Sequence, residues 1–265
     1  MLRSRLATAA LTALLIWTVG SPARCAGDAS WPDLSAPAAT EGGGENDAAV
    51  VIGVEDYVVV SDIPGARQNA QDWYSWLVDT RKVPVGSVVL LRDTEGTREG
   101  ILDGAQRARE RVRPGGTLWF VYIGHGAPGK DGTDGLLVGW DTQQTANSVY
   151  ARGLPQSELL AELEQGPQAS TLLVLDACFS GKTGFGDALV DGLQPLVPSY
   201  ALQTSDVTVL SAGQAEQFAG PLPGVSRPAF SYLLLGGFRG WADADGDEQI
   251  TAQEGVSYPT DAMYA

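Results

Sequence analysis

The sequence is poor in the residues that build disulfides and zinc centres. Its 265 residues include one histidine and two cysteines. That excludes a disulfide framework and any zinc site assembled mainly from Cys and His. Basic residues are few as well, 17 Lys+Arg against 32 Asp+Glu, for a formal net charge of −15. No basic run appears, which excludes nucleic-acid partners, because phosphate contacts need clustered Lys and Arg. No apolar run reaches the ~20 residues of a bilayer span. What is present is a globular composition, 44% hydrophobic, too apolar for a mainly disordered chain. The length suits one large domain with a small appendage.

Arg3 and Arg5 precede an apolar run from Leu6 to Val19, followed by Ser21-Pro22-Ala23-Arg24-Cys25-Ala26. This is the charged, apolar, small-residue order of a secretory signal peptide. Residues 1–25 are therefore expected to be removed, with cleavage near Ala23 or Cys25, and the chain to be periplasmic or secreted. The alternatives are an uncleaved anchor and a lipid anchor on Cys25, which Arg24 fits poorly. Nothing after cleavage could span a membrane. Cleavage after Cys25 leaves one cysteine, Cys178, beside one histidine, His125. A lone thiol in an exported protein is either buried and inert or kept for reactivity.

Residues 26–47, rich in Ala, Pro, Gly, Ser and acids, read as a flexible linker. Beyond them, apolar runs predict strands over 48–54, 87–91, 117–123, 170–175 and 207–212. Helical spacing marks 64–79, 97–112, 155–164 and 229–238. Strands alternating with helices argue an α/β domain over 48–240, its mostly parallel sheet covered on both faces. The near-continuous apolar runs fit strands buried on both sides. Sites in such sheets lie beyond the carboxyl ends of the strands.

Two strand ends carry unusual chemistry. The run 117–123 leads into Gly124-His125-Gly126, and 170–175 into Asp176-Ala177-Cys178-Phe179-Ser180-Gly181. If these strands are neighbours, thiol and imidazole emerge together, as thiol catalysis requires. The backbone N–H groups of Gly126 and Cys178 are the candidate oxyanion hole. The plainer alternative is a buried cysteine acting as a small hydrophobe. Gly181-Lys182-Thr183 mimics a phosphate-binding loop, but Asp176 stands where its first Gly belongs, so no nucleotide is assigned.

These motifs resemble the caspase and metacaspase family of cysteine endopeptidases. The caspase signature is Gln-Ala-Cys-x-Gly with a His about 50 residues upstream. Here Asp176 replaces the Gln, and Phe179-Ser180 adds one residue before Gly181; both departures match the bacterial metacaspase-like branch. Ile63–Arg67 and Arg92–Arg98 resemble that branch too. The resemblance implies a caspase-like three-layer fold, with a central sheet of about six mostly parallel strands and helices on both faces. It implies Cys178 as nucleophile, His125 as general acid/base, and protein or peptide substrates. Asp176 would favour cleavage after Arg or Lys; the alternative is a turn-capping role. The family often has an acid where Asn69 stands here, so Asn69 is a substrate-binding candidate in a pocket holding fewer acids. Family members are often cut in the region after the Cys motif, which makes self-cleavage after Lys182 an expectation.

Near the end, Asp243, Asp245, Asp247 and Glu254 occupy positions one, three, five and twelve of a loop resembling an EF-hand. Gln249 would offer its backbone carbonyl at seven, and Thr251 stands at nine. Hard oxygen donors at this spacing suit Ca2+. Glu248 replaces the usual Gly at six, Gly255 and Pro259 argue against a long exiting helix, and no second loop pairs with it. The alternative is a solvated acidic turn. Residues 241–265 thus read as a calcium loop and the start of a further segment, as in a piece of a longer protein. The competing functional reading is a catalytically silent caspase-like binding or scaffold domain carrying a calcium loop.

Overall fold

Each of the five apolar runs read as strands becomes one. A computed structural model describes residues 31, 33–34, 42–183, 187–193, 206–212, 220–246 and 252–264. The expected signal peptide, with Ala23 and Cys25, lies outside these residues. In chain order the elements are β1 (Ala48–Gly53), α1 (Ala66–Ser75), β2 (Val88–Arg92), α2 (Arg98–Arg109), β3 (Thr117–Ile123), β4 (Gly126–Pro128) and β5 (Gly135–Leu137). There follow α3 (Ala146–Arg152), β6 (Leu154–Pro155), α4 (Gln156–Leu163), β7 (Ser170–Asp176), β8 (Val207–Ser211), α5 (Ala229–Gly236) and α6 (Ala252–Tyr264).

The main sheet runs β2-β1-β3-β7-β8, and every pairing in it is parallel. Side chains alternate between its faces, as strand geometry requires. Val50, Ile52, Leu118, Phe120 and Tyr122 join Ile101 and Ala105 of α2 and Leu159 of α4 in one core. Ala49, Val51, Trp119, Val121 and Ile123 point the other way, onto Trp73 of α1 and Leu233 of α5. The fold is therefore a three-layer α/β structure. Five strands are described in the central sheet, against about six expected. The apolar runs themselves number five; the sixth came only from the resemblance. A second, antiparallel sheet of β4, β5 and β6 stands beyond the end of β3. Its strands of two or three residues are too short to show a period of two.

Local signals placed α1, α2, α4 and α5, while α3 was not expected from them. Thr97 caps α2 through its hydroxyl, which accepts the Gly100 N–H at 3.1 Å, a contact worth ~1 kcal/mol. Trp73 is fully buried and its indole N–H donates to the Ser231 carbonyl at 3.0 Å, tying α1 to α5. Two expectations need correction. α6 forms in spite of Gly255 and Pro259, because Tyr258 packs on Trp241, rings 6.4 Å apart, and tertiary contact outweighs propensity. Within the stretch read as a linker, Leu34 is buried among core residues and Trp31 donates its indole N–H to the Pro223 carbonyl. Asp47 at its end is buried too, accepting from the Thr117 N–H, the Trp119 indole and Arg81. Among the described residues, no helix is long and apolar enough to cross a membrane.

Candidate active site

The β3–β7 register decides where the reactive groups fall. Ile123 is paired with Asp176, and the Gly124 N–H continues the ladder to the Asp176 carbonyl at 3.2 Å. His125 and Cys178 each lie two residues beyond that last pair. Adjacent parallel strands thus deliver both side chains to one end of the sheet. Both line a single cleft of about 350 Å³, together with Asp62, Asp176, Lys182 and Asp187. Three carboxylates and one ammonium give it an acidic balance.

The backbones behind these side chains touch. A Cβ on Gly126 would lie 2.9 Å from the Cys178 carbonyl oxygen and from the Phe179 ring. Only glycine allows this approach of the His loop to the Cys loop. The Val138 N–H reaches the His125 carbonyl at 2.9 Å, so Gly126 and its partner Leu137 face each other as a non-hydrogen-bonded pair. The Gly126 N–H is therefore directed away from β5 and not spent on that ladder. Gly126→Ala is expected to destabilise the fold by roughly 1–3 kcal/mol through overpacking. Denaturant unfolding of the variant beside wild type checks this.

His125 is buried, 5% exposed, and its Nε2 lies 2.6 Å from the Ser61 carbonyl and 3.3 Å from the Ser61 hydroxyl. A carbonyl only accepts, so Nε2 carries the proton and Nδ1 is left with the lone pair. Burial pushes the imidazole down from 6.5 to about 4, against the opposing pull of the Ser61 carbonyl and the Asp62 charge. The ring is thus a neutral base at ordinary pH. Cys178 is a free, half-buried thiol with Sγ 2.9 Å from Ser180 Oγ.

Asp176 ends β7, lines the cleft, and is buried. Its Oδ2 accepts the Ser231 N–H at 2.7 Å, in the first turn of α5, where a carboxylate meets orphan amides and the positive end of the helix dipole. Burial nevertheless raises its pKa from 3.8 to about 6, with both Ser231 hydrogen bonds pulling the other way. Asn69 stands one layer behind. It is 1% exposed, and its Nδ2 donates to the Pro228 carbonyl at 2.9 Å and to Ser231 Oγ at 2.7 Å. Its Oδ1 accepts from Arg227 Nε at 2.6 Å, and Arg227 also pairs with Asp72. Asn69 thus touches Ser231, which touches Asp176, while the cleft itself is walled by other residues.

Of the candidate calcium ligands, Asp243, Asp245 and Glu254 come together, with one oxygen of each within 4.8 Å of the others. Gly246 turns there with φ +76°, and its N–H donates to Asp243 Oδ1 at 2.8 Å. Three converging carboxylates fit a hard divalent cation. Asp247, Gln249 and Thr251 lie outside the described residues.

Sequence reasoning missed Tyr57, Ser61 and Asp62. They belong to a segment without helix or strand period, and Ser61 acts through a main-chain atom that any residue supplies. The Ile63–Arg67 and Arg92–Arg98 stretches, by contrast, do meet: Arg67 pairs with Asp93 at 2.9 Å.

The fold and site define a three-layer α/β protein with a cysteine and a histidine on adjacent strand ends. No protein-family model matches the chain, and neither does any curated protein. Among solved structures, a structural-genomics target from Geobacter sulfurreducens is 19% identical over 52% of this chain and 50% of its own, with a TM-score of 0.40. The chain spans half of that protein's length. Caspase-1 from Spodoptera frugiperda is 15% identical over 82% of this chain and 75% of its own, also with a TM-score of 0.40.

Proposed function

We propose that this chain is an exported cysteine endopeptidase of the caspase and metacaspase type that cleaves after Arg or Lys and is dependent on calcium. The observation that carries the reading is the pairing of Ile123 with Asp176, which brings His125 and Cys178 to the same end of the sheet, where both line one cleft. The Cys178 sulfur attacks the scissile carbonyl carbon and its proton passes to His125 Nδ1. The N–H groups of Gly126 and Cys178 receive the oxyanion. The imidazolium then protonates the leaving amine, and water hydrolyses the thioester, restoring the thiol. Asp62, Asp176 and Asp187 support a basic side chain in the cleft. Asp243, Asp245 and Glu254, whose oxygens converge, would hold a calcium ion, which would offset the repulsion among their carboxylates. Residues 1–25 support export.

The test is a panel of fluorogenic peptides ending in Arg, Lys or Asp, with calcium and with a chelator. Turnover of the Arg and Lys peptides, reduced at least several-fold by the chelator, is expected. Preference for Asp overturns the basic specificity. Chelator-independent turnover removes calcium from the mechanism, and no turnover anywhere leaves the binding or scaffold reading.

A further inference from the structure

His125 is held through its main chain as well as its ring. Its backbone N–H donates to Tyr57 Oη at 2.8 Å. The Tyr57 and Tyr122 hydroxyls are 3.4 Å apart. Tyr122 Oη in turn lies 2.9 Å from the His125 carbonyl and 2.9 Å from that of Val138. A phenol has one proton to give. With the Tyr57 proton directed to Tyr122 and the Tyr122 proton to His125, the bonds close a circuit from the His125 N–H to its own carbonyl. Both phenols are buried, and burial pushes both pKa values up, so the circuit carries no charge. The Tyr57 ring also lies against the imidazole, centroids 4.9 Å apart and planes at 44°.

Tyr57 and Ser61 share one braced loop between β1 and α1. The Ile63 N–H closes its base on the Glu55 carbonyl at 2.9 Å. Asp62 Oδ1 accepts the Tyr57 N–H at 3.1 Å inside it. From outside, Asp93 Oδ1 accepts the consecutive N–H groups of Glu55 and Asp56 at 2.8 and 3.1 Å. Arg67 pairs with Glu55, Asp56 and Asp93 together. A single rigid loop therefore applies two grips to one histidine: a carbonyl on Nε2, and a tyrosine on the peptide and the ring.

We propose that Tyr57 is a positioning residue for His125, fixing the imidazole so that Nε2–H meets the Ser61 carbonyl and Nδ1 is left to take the thiol proton. The use of that orientation rests on the peptidase reading; the orientation itself is measurable without turnover. His125 is the only histidine in the chain, so a long-range proton–nitrogen correlation spectrum of the 15N-labelled full chain at neutral pH shows one imidazole and its tautomer.

Wild type is expected to show the Nε2–H form alone. Tyr57→Phe strands the His125 N–H and is expected to mix the tautomers and lower kcat about 10-fold while KM stays within about 2-fold. Tyr57→Leu removes the ring as well and is expected to lower kcat further. If Tyr57→Phe fails to fold, Asp93→Asn, at the loop's outer base, is expected to shift the tautomer in the same direction by less. An unchanged single tautomer in folded Tyr57→Phe, or in Asp93→Asn where that variant must serve, overturns the proposal. Should wild type turn over no peptide, the peptidase reading fails while the spectrum still decides the role of Tyr57.

Discussion

Cys178→Ala is expected to reduce turnover of Arg- and Lys-ended peptides by about 10³-fold or more, because the acyl-enzyme cannot form without the sulfur. His125→Ala is expected to cost a similar factor, and the double variant to be no slower than either single one, since nucleophile and base act as a unit. The pH profile adds a sharper expectation. On the peptidase reading, proton transfer needs neutral His125, whose pKa burial lowers from 6.5 to about 4. The acidic limb of kcat/KM assigned to His125 should therefore lie near pH 4 instead of near 6.5. Steady-state kinetics of wild type and the three variants over pH 4 to 8 settles both points. A His125→Ala variant retaining most of the activity would remove the imidazole from the mechanism.

Asp176→Asn is expected to stabilise the protein at pH 8 while weakening its preference for basic substrates. The carboxyl pKa is raised by burial from 3.8 to about 6 in the fold. Between those values the folded chain binds more protons than the unfolded one. Its contribution to stability is therefore complete below about pH 4 and is lost as pH rises through 6. A shift of about two pKa units corresponds to ~3 kcal/mol. Asn keeps an oxygen for the Ser231 N–H and has no charge to bury, although it gives up the Ser231 hydroxyl bond. Thermal unfolding should show the variant gaining on wild type between pH 4 and 8, while KM for Arg peptides rises. Equal destabilisation at both pH values would mean that Asp176 is a helix cap and no more. A gain in stability with a loss of basic preference would instead mark the trade between activity and stability that binding sites commonly show.

The parts of this protein that were legible in its sequence are those governed by local periodicity. β3 runs over the residues its apolar run marks, and β1, β2, β7 and β8 end within a residue or so of theirs. Parallel strands buried on both faces announce themselves as unbroken apolar runs. The placement of His125 and Cys178 on neighbouring strand ends was legible for a different reason: each follows such a run, and the sequence has no other histidine. The second sheet and α6 were not, the first because its strands are too short, the second because Pro259 points the other way. Asn69 shows the limit of motif matching. Its place in the chain suggested the substrate pocket, yet its partners, Pro228, Ser231 and Arg227, come from about 160 residues away. Such contacts leave no local signature. Tyr57 was invisible for the same reason, since its partner His125 is 68 residues on.

The register that joins β3 to β7 also sets when reactivity can appear during folding. The two strands are separated by the second sheet, α3 and α4, so their pairing closes a long loop and is entropically slow. Until it closes, the thiol and imidazole belong to separate, independently fluctuating segments. On the peptidase reading the nascent chain is inert, and recovery of turnover after dilution from denaturant is expected to act as a clock for one long-range event. That clock should lag behind the return of helical signal, which needs only contacts close in sequence.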